Sequence, residues 1–119
     1  MTKRRILIVD DDAQIRTLVR TVLERAGYEV TAARNGSEAI ELLAAGDYDV
    51  ILLDVIMPQI DGLQVVDELR RNGSPSLAHT YLLSGGDSER LLDLPVRGVI
   101  TKPFDISALV AEAKDCIGH

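Results

Sequence analysis

The chain has 119 residues, 46% of them hydrophobic and 27% charged, with a formal net charge of -6 and a pI near 4.8. That length suits one domain with a real apolar core, residues 1–119. The acidic balance argues against direct binding to nucleic acid or a membrane surface, because both rest on cationic contacts. The basic start, Met1-Thr2-Lys3-Arg4-Arg5, is followed by an apolar run of only four residues before three aspartates. Such a run is too short for a signal or membrane segment, and a cytoplasmic protein is expected. Cys116 is the sole cysteine, so no internal disulfide can form.

Strand-like and helix-like stretches then alternate, which predicts an α/β domain on a parallel sheet. The first strand is Arg5 to Val9. Ile15, Leu18, Val19, Val22, Leu23 and Ala26 follow at the spacing of one helix face, with Asp12 as N-cap and Gly27 as C-cap. Glu29 to Ala33 is a second strand, Asn35-Gly36 a turn, and Ser37 to Ala44 a short helix. Val50 to Leu53 has no polar interruption, as expected for a strand buried on both faces. Met57-Pro58 breaks the chain. Asp61 caps a helix over Gly62 to Asn72, with Leu63, Val66 and Leu69 inward. Gly73 to Ser76 reads as a loop and Thr80 to Leu83 as the fourth strand. Between Asp87 and Arg97 there is room only for a short helix, Ser88 to Leu92. Gly98 to Thr101 is the fifth strand. Asp105 caps a last helix with Ile106, Leu109, Val110, Ala113 and Ile117 on one face. The expected fold is a (βα)5 doubly wound five-stranded parallel sheet with a shortened or irregular fourth helix region.

Four of these strands end on residues suited to phosphate chemistry: Asp10-Asp11-Asp12, Asp54, Ser84 and Lys102. In an open parallel sheet, ligands bind outside the carboxyl ends of the strands. Asp10 and Asp11 can bind a divalent cation directly or through water. Asp54 ends an all-apolar strand where nothing structural requires a carboxylate, and carboxylates can be nucleophiles that form acyl phosphates. Lys102, before Pro103, can reach inward as a compact charge, and Ser84 can donate to a phosphoryl oxygen. Each also has a plainer use. The acidic run can solvate a loop, Asp54 can cap a turn, Lys102 can lie on the surface, and Ser84 before Gly85-Gly86 is ordinary turn chemistry. Capping alone explains Asp12. Charge favours a shared site. Two carboxylates 4 Å apart repel by about 4 kcal/mol at an effective dielectric near 20. Mg²⁺ and Lys102 together balance the three charges of Asp10, Asp11 and Asp54.

In combination these residues resemble a response-regulator receiver domain over essentially the whole chain. The resemblance rests on Ile-Leu-Ile-Val-Asp-Asp-Asp at 6–12, Leu-Leu-Asp-Val-Ile-Met-Pro at 52–58 with Asp61-Gly62, Ser84, and Lys102-Pro103-Phe104. It implies the flavodoxin-like strand order 2-1-3-4-5. It also implies that Asp54 accepts a phosphoryl group from a phosphohistidine on a sensor histidine kinase or histidine phosphotransfer protein, and that the change switches binding to a downstream partner or output module. Asp11, Asp54 and the backbone carbonyl of Ile56 would ligate Mg²⁺, with Asp10 acting mainly through water. Lys102 would pair with the phosphoryl group, Ser84 would be the switch hydroxyl, and small Gly85 would leave the site accessible. The domain would be a regulator rather than a turnover enzyme. No output domain is expected in these 119 residues, and the resemblance allows a homodimer through the last two helices.

Three departures accompany the resemblance. Val99 stands where the family often has an aromatic residue that moves with the switch hydroxyl. The connection from Ser84 to Lys102 is short by roughly one helical turn (about four residues). Ile56 and Gly86 offer no polar side chain to position a hydrolytic water, which predicts slow self-dephosphorylation. Two other readings compete. One is a receiver-like binding module that works without phosphorylation. The other is a haloacid-dehalogenase-like phosphatase using Asp10 and Asp12, although Gln14 departs from that pattern and Asp54 would lose its role.

Overall fold

The computed structural model describes residues 3–55, 62–85, 94–102 and 104–117. Five parallel strands, β1 Arg5–Val9, β2 Glu29–Ala33, β3 Val50–Asp54, β4 Thr80–Ser84 and β5 Gly98–Thr101, form one sheet. Their order is β2-β1-β3-β4-β5, as the resemblance implied. Helices α1 Ala13–Arg25, α2 Gly36–Ala45 and α3 Gly62–Arg71 and a last helix, Ile106–Ile117, cover it. Among the described residues no helix stands between β4 and β5. The Met57-Pro58 break, the Asp61 cap, Ile56, Gly86, Pro103 and the short helix Ser88 to Leu92 lie outside the described residues.

Every residue of β3 and β4 is buried, which explains their unbroken apolar runs. Strand alternation divides the core in two. Leu7, Val9, Ile51, Leu53 and Leu82 face Val65, Val66 and Leu69 of α3 and Ala39 of α2. Ile6, Ile8, Val50, Leu52 and Leu83 face Val19 and Leu23 of α1 and Leu109 and Ala113 of the last helix.

The structure corrects several sequence-based expectations. In α1 only Val19 and Leu23 are fully inside, Ile15 and Val22 are half-buried, and Leu18 is 50% exposed. The helix touches the sheet along a line narrower than its apolar stripe. Asn35 caps α2, its side chain accepting from the Glu38 N–H at 2.8 Å, while the Glu38 carboxylate accepts from the Arg34 N–H at 2.9 Å. The expected Asn35-Gly36 turn is therefore a helix start, related to a capping box. In α3 the inward residues are Gly62, Val65, Val66 and Leu69, and Leu63 is exposed. The expected loop at 73–76 runs into a 3₁₀ turn, Pro75–His79, capped by Ser74. Asp12 caps α1 as expected, but Gly27, at φ 99°, lies one residue past the Ala26 cap. There it takes a left-handed conformation that costs glycine little. Strands β3 and β4 each run one residue further than expected, to Asp54 and Ser84. The Val55 N–H donates to the Leu83 carbonyl at 3.0 Å and the Lys102 N–H to the Ser84 carbonyl at 2.6 Å, which holds the strand ends in register.

Candidate functional site

Ile8, Leu52 and Ile100 all belong to the core beneath α1 and the last helix. Asp10, Asp54 and Lys102 stand two residues beyond them, so the strand period carries all three to the same face. Asp10 is fully buried and Asp54 is 4% exposed. The Lys102 ammonium lies between them, with Nζ 3.2 Å from Asp10 Oδ2 and 3.2 Å from Asp54 Oδ2. Burial would lower the pKa of this lysine, but the charges of Asp10 and Asp54 and their hydrogen bonds outweigh it, and the net direction is upward. Lys102 therefore stays charged at any ordinary pH.

Asp11 is exposed and completes a group of three carboxylates with Asp10 and Asp54, one oxygen from each lying within 4.8 Å of the others. Three carboxylates against one ammonium leave a formal excess of two negative charges. All-oxygen donors at this spacing suit a hard divalent cation. Asp12 is set apart, because its carboxylate accepts from the Gln14 and Ile15 N–H groups at 2.9 and 3.4 Å.

Two further residues shape the site. A Cβ on Gly62 would collide with the Asp54 carbonyl oxygen and come 2.8 Å from Val55 Cα, while the Gly62 N–H donates to the Val55 carbonyl at 3.0 Å. Glycine thus lets α3 start directly against the backbone that carries Asp54. Arg16 Nη1 donates to the Asp10 carbonyl at 2.7 Å. Sequence reading passed over Arg16. The available signal was a cation in the opening turns of a helix, where the helix dipole disfavours it.

Ser84 is 6% exposed and pairs across β5 with Thr101. A Cβ built on Gly85 would meet nothing within 4 Å among the described residues. Val99 is half-buried in β5 opposite Leu82 and packs against the α2–α3 side of the core. Cys116 is half-buried in the last helix, and burial raises its thiol pKa. Tyr48 and Tyr81 are buried and Tyr28 half-buried, as core and rim residues.

A family model for the response regulator receiver domain matches residues 6–114. The chain belongs to this family. Receiver domains are phosphoacceptor signalling domains of two-component response regulators rather than turnover enzymes, and they bind Mg²⁺ at an acidic pocket. Response regulators act with sensor histidine kinases. Among relatives, the uncharacterized transcriptional regulatory protein YkoG of Bacillus subtilis (strain 168) is 38% identical over 116 residues, covering 96% of this chain and 51% of that protein. The chain spans about half the length of the curated relatives it matches. The receiver domain of Francisella response regulator 1452 superposes with a TM-score of 0.90 at 29% identity, covering 98% of both chains. Thermotoga maritima TrrA, solved in complex with Mg²⁺ and BeF, gives a TM-score of 0.80 at 35% identity, covering 95% of this chain and 98% of that one. The family match sets the phosphatase reading aside. No helix of the described residues in this receiver domain is long and apolar enough to cross a membrane.

Proposed function

We propose that this receiver domain accepts a phosphoryl group on Asp54 from a phosphohistidine of a sensor kinase or phosphotransfer protein in the cytoplasm, and that the product switches binding to a partner or output module. The observation that carries the reading is the Lys102 ammonium, held 3.2 Å from both Asp10 Oδ2 and Asp54 Oδ2. It neutralises part of the carboxylate charge at rest and is placed to follow that charge onto an arriving phosphoryl group. An Asp54 carboxylate oxygen attacks phosphorus in line with the imidazole nitrogen. The O–P bond forms as the N–P bond breaks, and the imidazole leaves with the electron pair. Asp11, Asp54 and the Ile56 carbonyl would hold Mg²⁺ directly and Asp10 would do so through water. Mg²⁺, when bound, supplies positive charge to the phosphoryl oxygens. Ser84 donates its hydroxyl to one of those oxygens, and the small Gly85 beside it leaves room for the donor. We assign no direct nucleic-acid contact to these residues, on their net charge of -6.

Intact-mass spectrometry after incubation with acetyl phosphate tests the proposal. The expected result is a gain of one phosphoryl group that needs Mg²⁺ and disappears in Asp54→Asn. No gain from acetyl phosphate or from a phosphorylated histidine donor would instead favour a binding module that works without phosphorylation. Because Ile56 and Gly86 carry no polar side chain, the aspartyl phosphate should persist well beyond seconds without a phosphatase. Decay within seconds would contradict that expectation.

A further inference from the structure

We infer that Arg16 is a positioning residue for the cation site. It would fix the peptide between Asp10 and Asp11 so that the Asp11 carboxylate is presented to Mg²⁺. This rests on the proposed Mg²⁺ site.

The turn from Asp10 to Asp12 is held at Asp10 and at Asp12, on either side of Asp11. The Asp10 N–H donates to the Ala33 carbonyl of β2 at 3.2 Å. Asp10 Oδ1 accepts from the Asp12 N–H at 2.9 Å, and Oδ2 accepts from Lys102 Nζ at 3.2 Å. Asp12 caps α1 through its side chain. The Asp10 carbonyl accepts from Arg16 Nη1 at 2.7 Å. The Arg16 N–H meanwhile donates to the Asp12 carbonyl at 3.1 Å. Arg16 therefore grips both ends of the turn, with the guanidinium at Asp10 and its own peptide at Asp12. A charge-assisted bond of this length is short and directional.

The Asp10 carbonyl lies in the peptide plane that leads into Asp11. Holding that plane restricts ψ of Asp10 and φ of Asp11, the rotations that set the direction of the Asp11 Cα–Cβ bond from which its carboxylate reaches the site. Asp11 is exposed, unlike Asp10 and Asp54, and has no burial to orient it. Its presentation to the other two carboxylates depends on the backbone beneath it. Groups that orient metal ligands typically change metal affinity by about 10- to 100-fold when removed.

The sign of the effect separates positioning from charge. Arg16 is a cation near a cation site. If it acted only as a charge, Arg16→Ala would remove repulsion and tighten Mg²⁺ binding. If it served only to satisfy a buried carbonyl, Arg16→Ala would lower the melting temperature and leave the affinity of the folded protein unchanged. Positioning predicts weaker binding despite the lost repulsion.

The test is Mg²⁺ titration by isothermal calorimetry of the phosphate-free protein, on wild type, Arg16→Ala, Arg16→Lys and Asp11→Asn, with folding checked by circular dichroism. The expected result is roughly tenfold weaker binding in Arg16→Ala, with partial rescue in Arg16→Lys, which keeps a donor and the charge. Where Arg16→Ala does not fold, weakened binding by a folded Arg16→Lys supports the inference and wild-type affinity in it overturns it. Unchanged or tighter binding in folded Arg16→Ala, beside a clear loss in Asp11→Asn, overturns the role of Arg16 and leaves the Mg²⁺ site standing. Absence of Mg²⁺ binding by wild type removes the site itself, and the inference with it.

Discussion

Carboxylates meet cations at both ends of the sheet, and the two ends differ in burial and in stoichiometry. At the amino-terminal ends of the strands, Arg4 lies 3.8 Å from Asp49 and Arg5 lies 4.0 Å from Glu29, with Arg4 and Glu29 exposed and Arg5 and Asp49 half-buried. Arg5 also lies over the Tyr48 ring at 4.5 Å and donates to the Asp47 carbonyl at 3.0 Å. Cations and anions there are matched one to one. At the carboxyl ends, Asp10 and Asp54 are buried and share one lysine, and Asp11 joins them. Exposed, matched pairs contribute little to stability and suggest no ligand. Buried carboxylates are costly unless compensated, and these outnumber the lysine between them. The contrast supports the site proposed at the carboxyl ends of the strands.

Substituting Lys102 sharpens this contrast most. Lys102→Ala should destabilise the domain by about 3 kcal/mol in Mg²⁺-free buffer, the low end for breaking a buried pair, because its side chain is 25% exposed. Urea denaturation measures it, and added Mg²⁺ should restore part of the loss. Mg²⁺ itself should stabilise wild type by about 2.7 kcal/mol at a hundred times its dissociation constant, and much less in Asp11→Asn. A melting curve that ignores Mg²⁺ would break the contrast between the two ends. Gly62→Ala should cost about 1 to 3 kcal/mol through overpacking against the Asp54 backbone and slow phosphoryl uptake by displacing Asp54. At the opposite end, Arg4→Ala should cost no more than about 1 kcal/mol, and less in high salt.

The smallest effect concerns Cys116. Burial raises its thiol pKa above the ordinary value. The folded chain should therefore need higher pH than the denatured chain for alkylation by iodoacetamide. By linkage, the neutral thiol favours the fold at pH below the unfolded-state pKa. That contribution fades as pH rises through the higher folded-state value. Equal alkylation profiles for the folded and denatured chains would contradict the burial.

The strands were legible because four of them carry apolar runs that end on polar residues, and the buried β3 and β4 admit no other reading. The shared face of Asp10, Asp54 and Lys102 also lies in the sequence, as a step of two from Ile8, Leu52 and Ile100. The inward face of α3 was misread for a geometric reason. Leu63, Val66 and Leu69 advance by threes, and each step falls short of a full turn by about 60°. The actual seam, Gly62, Val65, Val66 and Leu69, follows the i, i+3, i+4, i+7 rule but begins on a glycine, which hydrophobicity cannot mark. Leu18 was placed inside because periodicity gives the direction of an apolar stripe and not the width of the surface it meets. Arg16 is hard to read because its partner is a backbone carbonyl, and its place in the opening turns of α1 is the one signal that residue types carry. The resemblance supplied what the residues alone did not, namely the strand order, the phosphohistidine donor and the direct ligation of Mg²⁺ proposed for Asp11, Asp54 and the Ile56 carbonyl.

The central claim is that Asp54, rather than its buried neighbour Asp10 or the exposed Asp11, carries the phosphoryl group. Borohydride reduction of the acetyl phosphate-treated protein converts an aspartyl phosphate to homoserine, and peptide mass spectrometry then locates it. The account predicts homoserine at position 54 alone, formed only when Mg²⁺ was present. Homoserine at position 10 or 11, or equal labelling without Mg²⁺, would contradict it.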